Sequence, residues 1–179
     1  MTYIVLALKS EAQAFVDAFK LQKSKLSTFT TFSNSNIFLI ISGVGVEHAR
    51  MATQTLINHF DISDDDIFVN FGVCGGSKRF SIGEFVTISS VVYKEQTYIL
   101  SQEGFTLTCK DEACEELGCY ELVDMESYGF YDAVVHNPAI KKALILKVVS
   151  DHFEPHTLTK DMVKSLLFAK IGRLLTTLH

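Results

Sequence analysis

Three carboxylates stand where an apolar run of the chain gives way to a polar segment. Glu11 follows the run Tyr3–Leu8 (YIVLAL) across Lys9 and Ser10. Asp151 follows Ala143–Val149 (ALILKVV), in Ser150-Asp151-His152. Glu126 closes Val123-Asp124-Met125-Glu126, at the start of a helical stretch. Carboxyl groups suit acid–base work, because a desolvated pocket can raise their pKa enough for one to hold a proton. A carboxylate also accepts hydrogen bonds from hydroxyls and favours positive charge developing beside it. Each residue has a structural alternative. Glu11 and Glu126 suit the first turn of a helix, and Asp151 suits a cap.

Glycines mark two further strand ends. Gly43-Val44-Gly45 opens a helix, and Gly72-Val73-Cys74-Gly75-Gly76 follows the run Ile67–Phe71. The first lacks the third glycine of a dinucleotide fingerprint, and no Walker lysine accompanies either, so dinucleotide binding is poorly supported.

Positioning these residues falls to apolar runs of strand length that alternate with helix-period stretches. Tyr3–Leu8 reads as a buried strand, and Glu11–Lys20 as a helix with Ala12, Phe15, Val16 and Phe19 on one face. Ser27–Phe32 and Asn36–Ser42 flank Asn34-Ser35 and predict a hairpin. Val46–Phe60 reads as a helix, Asp61–Asp66 as a polar loop and Ile67–Phe71 as a second buried strand. Phe85–Tyr93, Thr97–Leu100, Phe105–Cys109 and Tyr120–Val123 read as strands, with a short helix over Asp111–Leu117. A helix over Asp124–His136 halts at Asn137-Pro138, and Ala143–Val149 is a third strongly apolar strand. Thr159 is a good N-cap for a final helix. Val163, Leu166, Leu167, Ile171, Leu174, Leu175 and Leu178 form its single apolar stripe. This alternation predicts an α/β fold, a three-layer α/β/α sandwich with helices on both faces of a mixed central sheet. Ligands of such folds bind at the carboxyl ends of strands, where the carboxylates stand.

The length of 179 residues suits one domain over residues 1–179. Its net charge of -5 argues against nucleic acid, whose backbone calls for clustered cations. The mean hydropathy of +0.21 fits a sheet buried on both faces, yet no apolar run approaches the ~18 residues of a membrane helix. The run Tyr3–Leu8 is too short for a signal-peptide core and no small-residue cleavage site follows it, so the expected compartment is the cytoplasm, without a membrane partner.

Cys109, Cys114 and Cys119 are spaced unlike any common zinc motif, so these three and Cys74 are expected to be reduced and mostly buried. Asp151-His152-Phe153-Glu154-Pro155-His156 holds metal-ligand types, but Pro155 prevents the helix that would align the two histidines. It reads instead as a mobile loop over the site. No metal is expected. His48 is placed near the Gly43–Gly45 turn, and His179 at a solvated terminus.

In this order the segments resemble the nucleoside phosphorylase/nucleosidase superfamily. They are most similar to its 5′-methylthioadenosine/S-adenosylhomocysteine nucleosidase and futalosine hydrolase branch. Ala7–Glu11 resembles the branch's first strand and catalytic glutamate, and Ser42–Ala49 its glycine-containing strand-to-helix turn. Asn70–Gly76 with Ile82–Val86 resembles its central glycine loop and following strand. Val123–Glu126 and Val149–Asp151 resemble its ribose and acid segments. Relative to that branch the chain is short, and the shortfall lies between Val86 and Val123.

The resemblance implies a nucleoside phosphorylase-like fold and cleavage of an N-glycosidic bond in a purine nucleoside, a small-molecule partner. Asp151 would protonate the purine at N7, and Glu11 would activate the attacking water. Glu126 would bind the ribose hydroxyls, with Met125 packed on the sugar. Gly75 and Phe105 join the substrate-binding set, with Tyr98 as an alternative stacking partner for the base and Asp111 near it. No cofactor is implied, and a homodimer is. Asn70 stands where hexameric phosphorylases carry an arginine, and Val73 replaces a phosphate-contacting serine, which favours water over phosphate. Ser150-Asp151-His152 is also similar to the phosphorylase form. Phosphorolysis and a shortened, non-catalytic nucleoside-binding relative stay open at this point.

Overall fold

A computed structural model describes residues 1–115 and 118–178. In chain order the elements are β1 (Thr2–Leu6), α1 (Lys9–Phe19), β2 (Gln22–Leu26), β3 (Phe29–Ser33), β4 (Ile37–Ile41), α2 (Val46–His59) and β5 (Ile67–Gly76). Then follow β6 (Phe85–Tyr93), β7 (Gln96–Ile99), β8 (Phe105–Cys109), β9 (Leu122–Asp124), α3 (Ser127–Val135) and β10 (Lys142–Asp151). A 3₁₀ turn (Pro155–Thr157) leads to α4 (Lys160–Phe168) and α5 (Ile171–Leu178).

The sheet is mixed. β1 pairs in parallel with β4 and β5, and β5 in parallel with β10. β6 runs antiparallel to β10 and parallel to β8, and β9 bridges β8 and β5. The pairings β5–β10–β6–β8–β9–β5 thus form a closed circuit on one side of the sheet. β3 and β2 extend the other side, and β2 (QKSKL) is exposed. Lysines on an edge strand discourage pairing with another chain.

Strand alternation sorts the core into two layers. Tyr3 and Val5 of β1 pack among residues of α2 and α3, including Leu56, Phe130 and Val134. Ile4 and Leu6 point the other way, toward Phe15 of α1, Leu167 of α4 and Leu174 of α5. Helices therefore cover both faces of the sheet. On one side α2 and α3 meet closely at Gly129, where an added Cβ would stand 1.9 Å from the Val46 carbonyl oxygen.

Several elements differ from the sequence reading. The glycine segment after Phe71 is not a loop. β5 runs through to Gly76, because Gly75 and Gly76 pair with β9 while Cys74 and Gly75 pair with β10. β2 has no apolar periodicity and is held by its ladder to β3. The C-terminal stripe is divided between α4 and α5, with Ala169 and Lys170 at the junction. α3 starts at Ser127 rather than Asp124, since Asp124 belongs to β9 and its carboxylate accepts hydrogen bonds from the Ser127 amide and hydroxyl. The helix expected over Asp111–Leu117 is absent from its described part, 111–115, and residues 116 and 117 lie outside the described residues, as does His179. Among the described residues no helix is long and apolar enough to cross a membrane.

Candidate active site

The ends of β5, β9 and β10 and the starts of α1, α3 and α4 open onto one cavity of about 560 Å³. Glu11, Gly75, Met125, Glu126 and Asp151 all line it, although they come from segments far apart in the chain. Phe105 does not. Its ring packs against Phe80, 5.2 Å between centroids, as part of the core. Tyr98 sits in a cluster of tyrosines with Tyr128 and Tyr131, and Asp111 accepts a hydrogen bond from the Tyr93 hydroxyl.

Glu11 is buried in the first turn of α1. Its Oε2 accepts the amides of Ala7 and Leu8 at 2.9 and 2.8 Å, and its Oε1 accepts the Val73 amide at 3.0 Å. The helix-start and site readings therefore coexist in one side chain, which caps α1 and ties it to β5. Oε1 keeps a second lone pair for a ligand. Burial pushes the Glu11 carboxyl up, against the pull of the three amides and of Lys147. Gly72 makes room for this arrangement, since an added Cβ would stand 2.8 Å from Oε1.

Glu126 is buried at the N-cap of α3. Its Oε1 accepts the Gly45 amide at 2.9 Å, and Gly45 reaches this geometry with a φ of 108° that favours glycine. Burial and the nearby Asp124 push the Glu126 carboxyl up to about 7, partly offset by Lys147 and the Gly45 amide.

Asp151 is the last residue of β10, just past a register shift between Val149 and Asp151. Such irregularities re-aim side chains beside functional sites. Its Oδ2 lies 2.7 Å from the Ser150 hydroxyl, and its Oδ1 accepts the Glu154 amide at 2.9 Å. An added Cβ on Gly75 would stand 3.6 Å from Asp151 Oδ1 and 3.3 Å from the Phe153 ring.

Two features escaped the sequence reading. Lys147, fully buried, pairs with Asp124 at 2.7 Å. Its neighbouring carboxylates hold the ammonium well above the usual lysine range despite burial. The signal was a lone lysine inside ALILKVV, but nothing in the sequence names its partner. Phe153 is buried, lines the cavity and has a φ of 63°, which is uncommon for a large side chain. The segment after Asp151 thus turns back over the cavity, which Phe153, Pro155 and Leu158 line. Its His152 Nδ1 lies 2.9 Å from the Gly76 carbonyl oxygen, and His156 is exposed.

Cys74 lines the cavity, but burial pushes its thiol up, away from a thiolate nucleophile. Cys74 and Cys109 are buried, Cys114 is half-buried and Cys119 exposed; all four are free. Among the described residues no group of three His, Cys, Asp or Glu side chains is placed to hold a metal. His48 sits in the first turn of α2, its Nδ1 2.7 Å from the Val44 carbonyl oxygen.

No curated protein matches the sequence. Solved structures match the fold over nearly its whole length. The 5′-methylthioadenosine nucleosidase of Arabidopsis thaliana aligns with a TM-score of 0.81 at 18% identity, covering 99% of this chain and 95% of that one. The 5′-methylthioadenosine/S-adenosylhomocysteine nucleosidase of Neisseria meningitidis, solved with methylthio-immucillin-A, aligns at 0.77 with 14% identity, covering 99% and 97%. The futalosine hydrolase of Helicobacter pylori aligns at 0.77 with 13% identity, covering 99% and 96%. The sequence profile of the Phosphorylase superfamily matches residues 3–110, more than half of the chain and the part that carries Glu11 and the glycines of β5. By that match, and with the fold in agreement, the chain belongs to the phosphorylase superfamily.

Proposed function

We propose that this chain is a purine nucleosidase that hydrolyses the N-glycosidic bond of a 5′-modified purine nucleoside to free base and free sugar. The observation that carries the reading is the convergence of Glu11, Glu126 and Asp151 on one cavity. The solved relatives of this fold include 5′-methylthioadenosine nucleosidases and a futalosine hydrolase, and theirs is the reaction class carried over.

In this reading Asp151 is the general acid that delivers a proton to N7 of the purine. The bond from C1′ to the base breaks, and its electron pair leaves with the purine. Positive charge grows on the sugar, beside buried carboxylates that favour it. Glu126 Oε2, which has no protein partner among the described residues, accepts the ribose hydroxyls, and Met125 packs on the sugar. Glu11 takes a proton from water through its remaining Oε1 lone pair as the water oxygen bonds to C1′. One water is consumed, and base and sugar are the products.

Water is favoured over phosphate on electrostatic grounds. Glu11 and Glu126, the carboxylates this mechanism needs ionised, line the cavity and would repel a phosphate dianion. None of the arginines lines it among the described residues. Arg50 pairs with Glu47 and Asp132, Arg79 with Glu121, and Arg173 lies over the Phe85 ring. Asn70 is buried and donates to the Val5 carbonyl oxygen.

The test is release of free base from methylthioadenosine, S-adenosylhomocysteine, adenosine, inosine or futalosine, followed by chromatography and mass spectrometry. Release from at least one, lost in Glu11→Gln, Glu126→Gln and Asp151→Asn proteins that remain folded, is the expected result. Wild-type rates in any folded variant would remove that residue from the mechanism. Release from none would overturn the reading.

A further inference from the structure

Phe153 is buried, yet it belongs to neither layer of the core. Its ring has no aromatic partner among the described residues, whereas Phe15, Phe68, Phe71, Phe80 and Phe105 each have one. It lines the cavity instead, the one aromatic side chain among the described residues that do.

The ring is held there at a conformational cost. A φ of 63° is sparsely populated by residues other than glycine, and such backbone collects at functional sites. Glycine would take this conformation freely, so the turn itself does not call for phenylalanine. Two contacts fix the turn. Asp151 Oδ1 accepts the Glu154 amide at 2.9 Å, closing residues 151–154 around Phe153. His152 Nδ1 lies 2.9 Å from the Gly76 carbonyl oxygen and ties the turn to β5. Gly75 is the bare spot beneath it. An added Cβ there would stand 3.3 Å from Phe153 Cδ1 and 3.6 Å from Asp151 Oδ1, so ring and carboxyl border the same space.

We propose that Phe153 is the base-binding residue of this cavity, its ring stacked on a purine whose edge meets the Asp151 carboxyl. The placement of the base at Asp151 rests on the nucleosidase reading above. A ring nitrogen takes a proton in the plane of the base, where its lone pair lies, so Asp151 must meet the edge. The faces of the base are then left for stacking, and Phe153 is the flat partner that the cavity wall offers. Phe105 and Tyr98 are engaged elsewhere, with Phe80 and with Tyr128 and Tyr131. One turn thus carries both the acid and the ring that sets the angle at which the base reaches it.

The test measures dissociation constants by calorimetry for free adenine, free hypoxanthine and 1,4-dideoxy-1,4-imino-D-ribitol, a cationic sugar mimic with no base. The wild-type protein is compared with Phe153→Leu, which keeps apolar bulk and loses the flat face. Phe153→Met takes its place if the leucine protein does not fold. We expect the variant to bind adenine or hypoxanthine about 10-fold more weakly, from one lost stacking contact, and to bind the iminoribitol as the wild type does. Equal affinity for the bases in both proteins overturns the proposal, as does a wild type that binds neither base. Base and iminoribitol weakened together would assign Phe153 to the shape of the turn alone, and also overturns it. Base release from nucleosides is followed in parallel. A protein that cleaves none, yet loses base affinity with the ring, fails the nucleosidase reading and keeps the stacking site. A protein that cleaves a nucleoside, with base affinity indifferent to the ring, keeps the reading and loses the site.

Discussion

Glu126 is held between two demands. Catalysis as proposed needs its carboxylate ionised, while burial and Asp124 push its pKa up to about 7. Because the folded-state value lies above the unfolded one, Glu126 favours folding below the unfolded pKa, and that contribution is lost as pH rises through about 7. The shift corresponds to roughly 3 kcal/mol at most. Glu126→Gln keeps an acceptor for the Gly45 amide and removes the charge. Its Tm should therefore match the wild type near pH 4 and exceed it at pH 8, while its kcat/KM falls by about 10²–10³. Wild-type kcat/KM should rise with pH up to about 7 as Glu126 ionises. A Tm difference independent of pH would contradict the assignment. Asp151→Asn should lower kcat by about 10²-fold or more while the Ser150 and Glu154 contacts keep the fold. Glu11, Glu126 and Asp151 were legible in the sequence because each stands at the junction of a run with a turn, where side chains escape the core. The Lys147–Asp124 pair and the turn at Phe153 were not legible, since they depend on which strands come together and on one backbone angle.

Among the elements, the long apolar strands and the amphipathic helices were readable from their periodicity. What periodicity could not supply was the end of each element. β5 continues through its glycines because β9 and β10 approach there, and that approach is tertiary. An added Cβ at Gly76 would stand 2.8 Å from Val149 Cγ1, so glycine here serves sheet packing. Phe105 was misplaced for a related reason: an aromatic on a short strand looks the same in sequence whether it faces a ligand or a ring such as Phe80. Gly129 is the close contact between α2 and α3. Gly129→Ala must push the helices apart, and we expect a loss of about 3 kcal/mol or more by denaturant titration. Gly72→Ala would press on Glu11 Oε1 instead, so activity should fall further than stability. A Gly72→Ala protein with full activity would show that the position of Glu11 is not critical.

At the scale of the molecule, the closed circuit of β5, β10, β6, β8 and β9 brings the ends of β5, β9 and β10 to one place. That closure gathers Asp124, Glu126 and Asp151 with Glu11, and Lys147 is the buried cation that offsets them. Lys147→Met should cost about 3–5 kcal/mol, since it leaves Asp124 buried without its partner. Adding Asp124→Asn should restore part of that loss, and denaturant titration of both proteins decides it. The central claim concerns the nucleophile, and products decide it most directly. The purified protein is incubated with the nucleoside it cleaves, with and without inorganic phosphate, and the sugar product is identified by mass spectrometry. Free sugar, formed at the same rate in both, is the predicted result. Sugar 1-phosphate, formed only when phosphate is present, would contradict it and make this chain a phosphorylase.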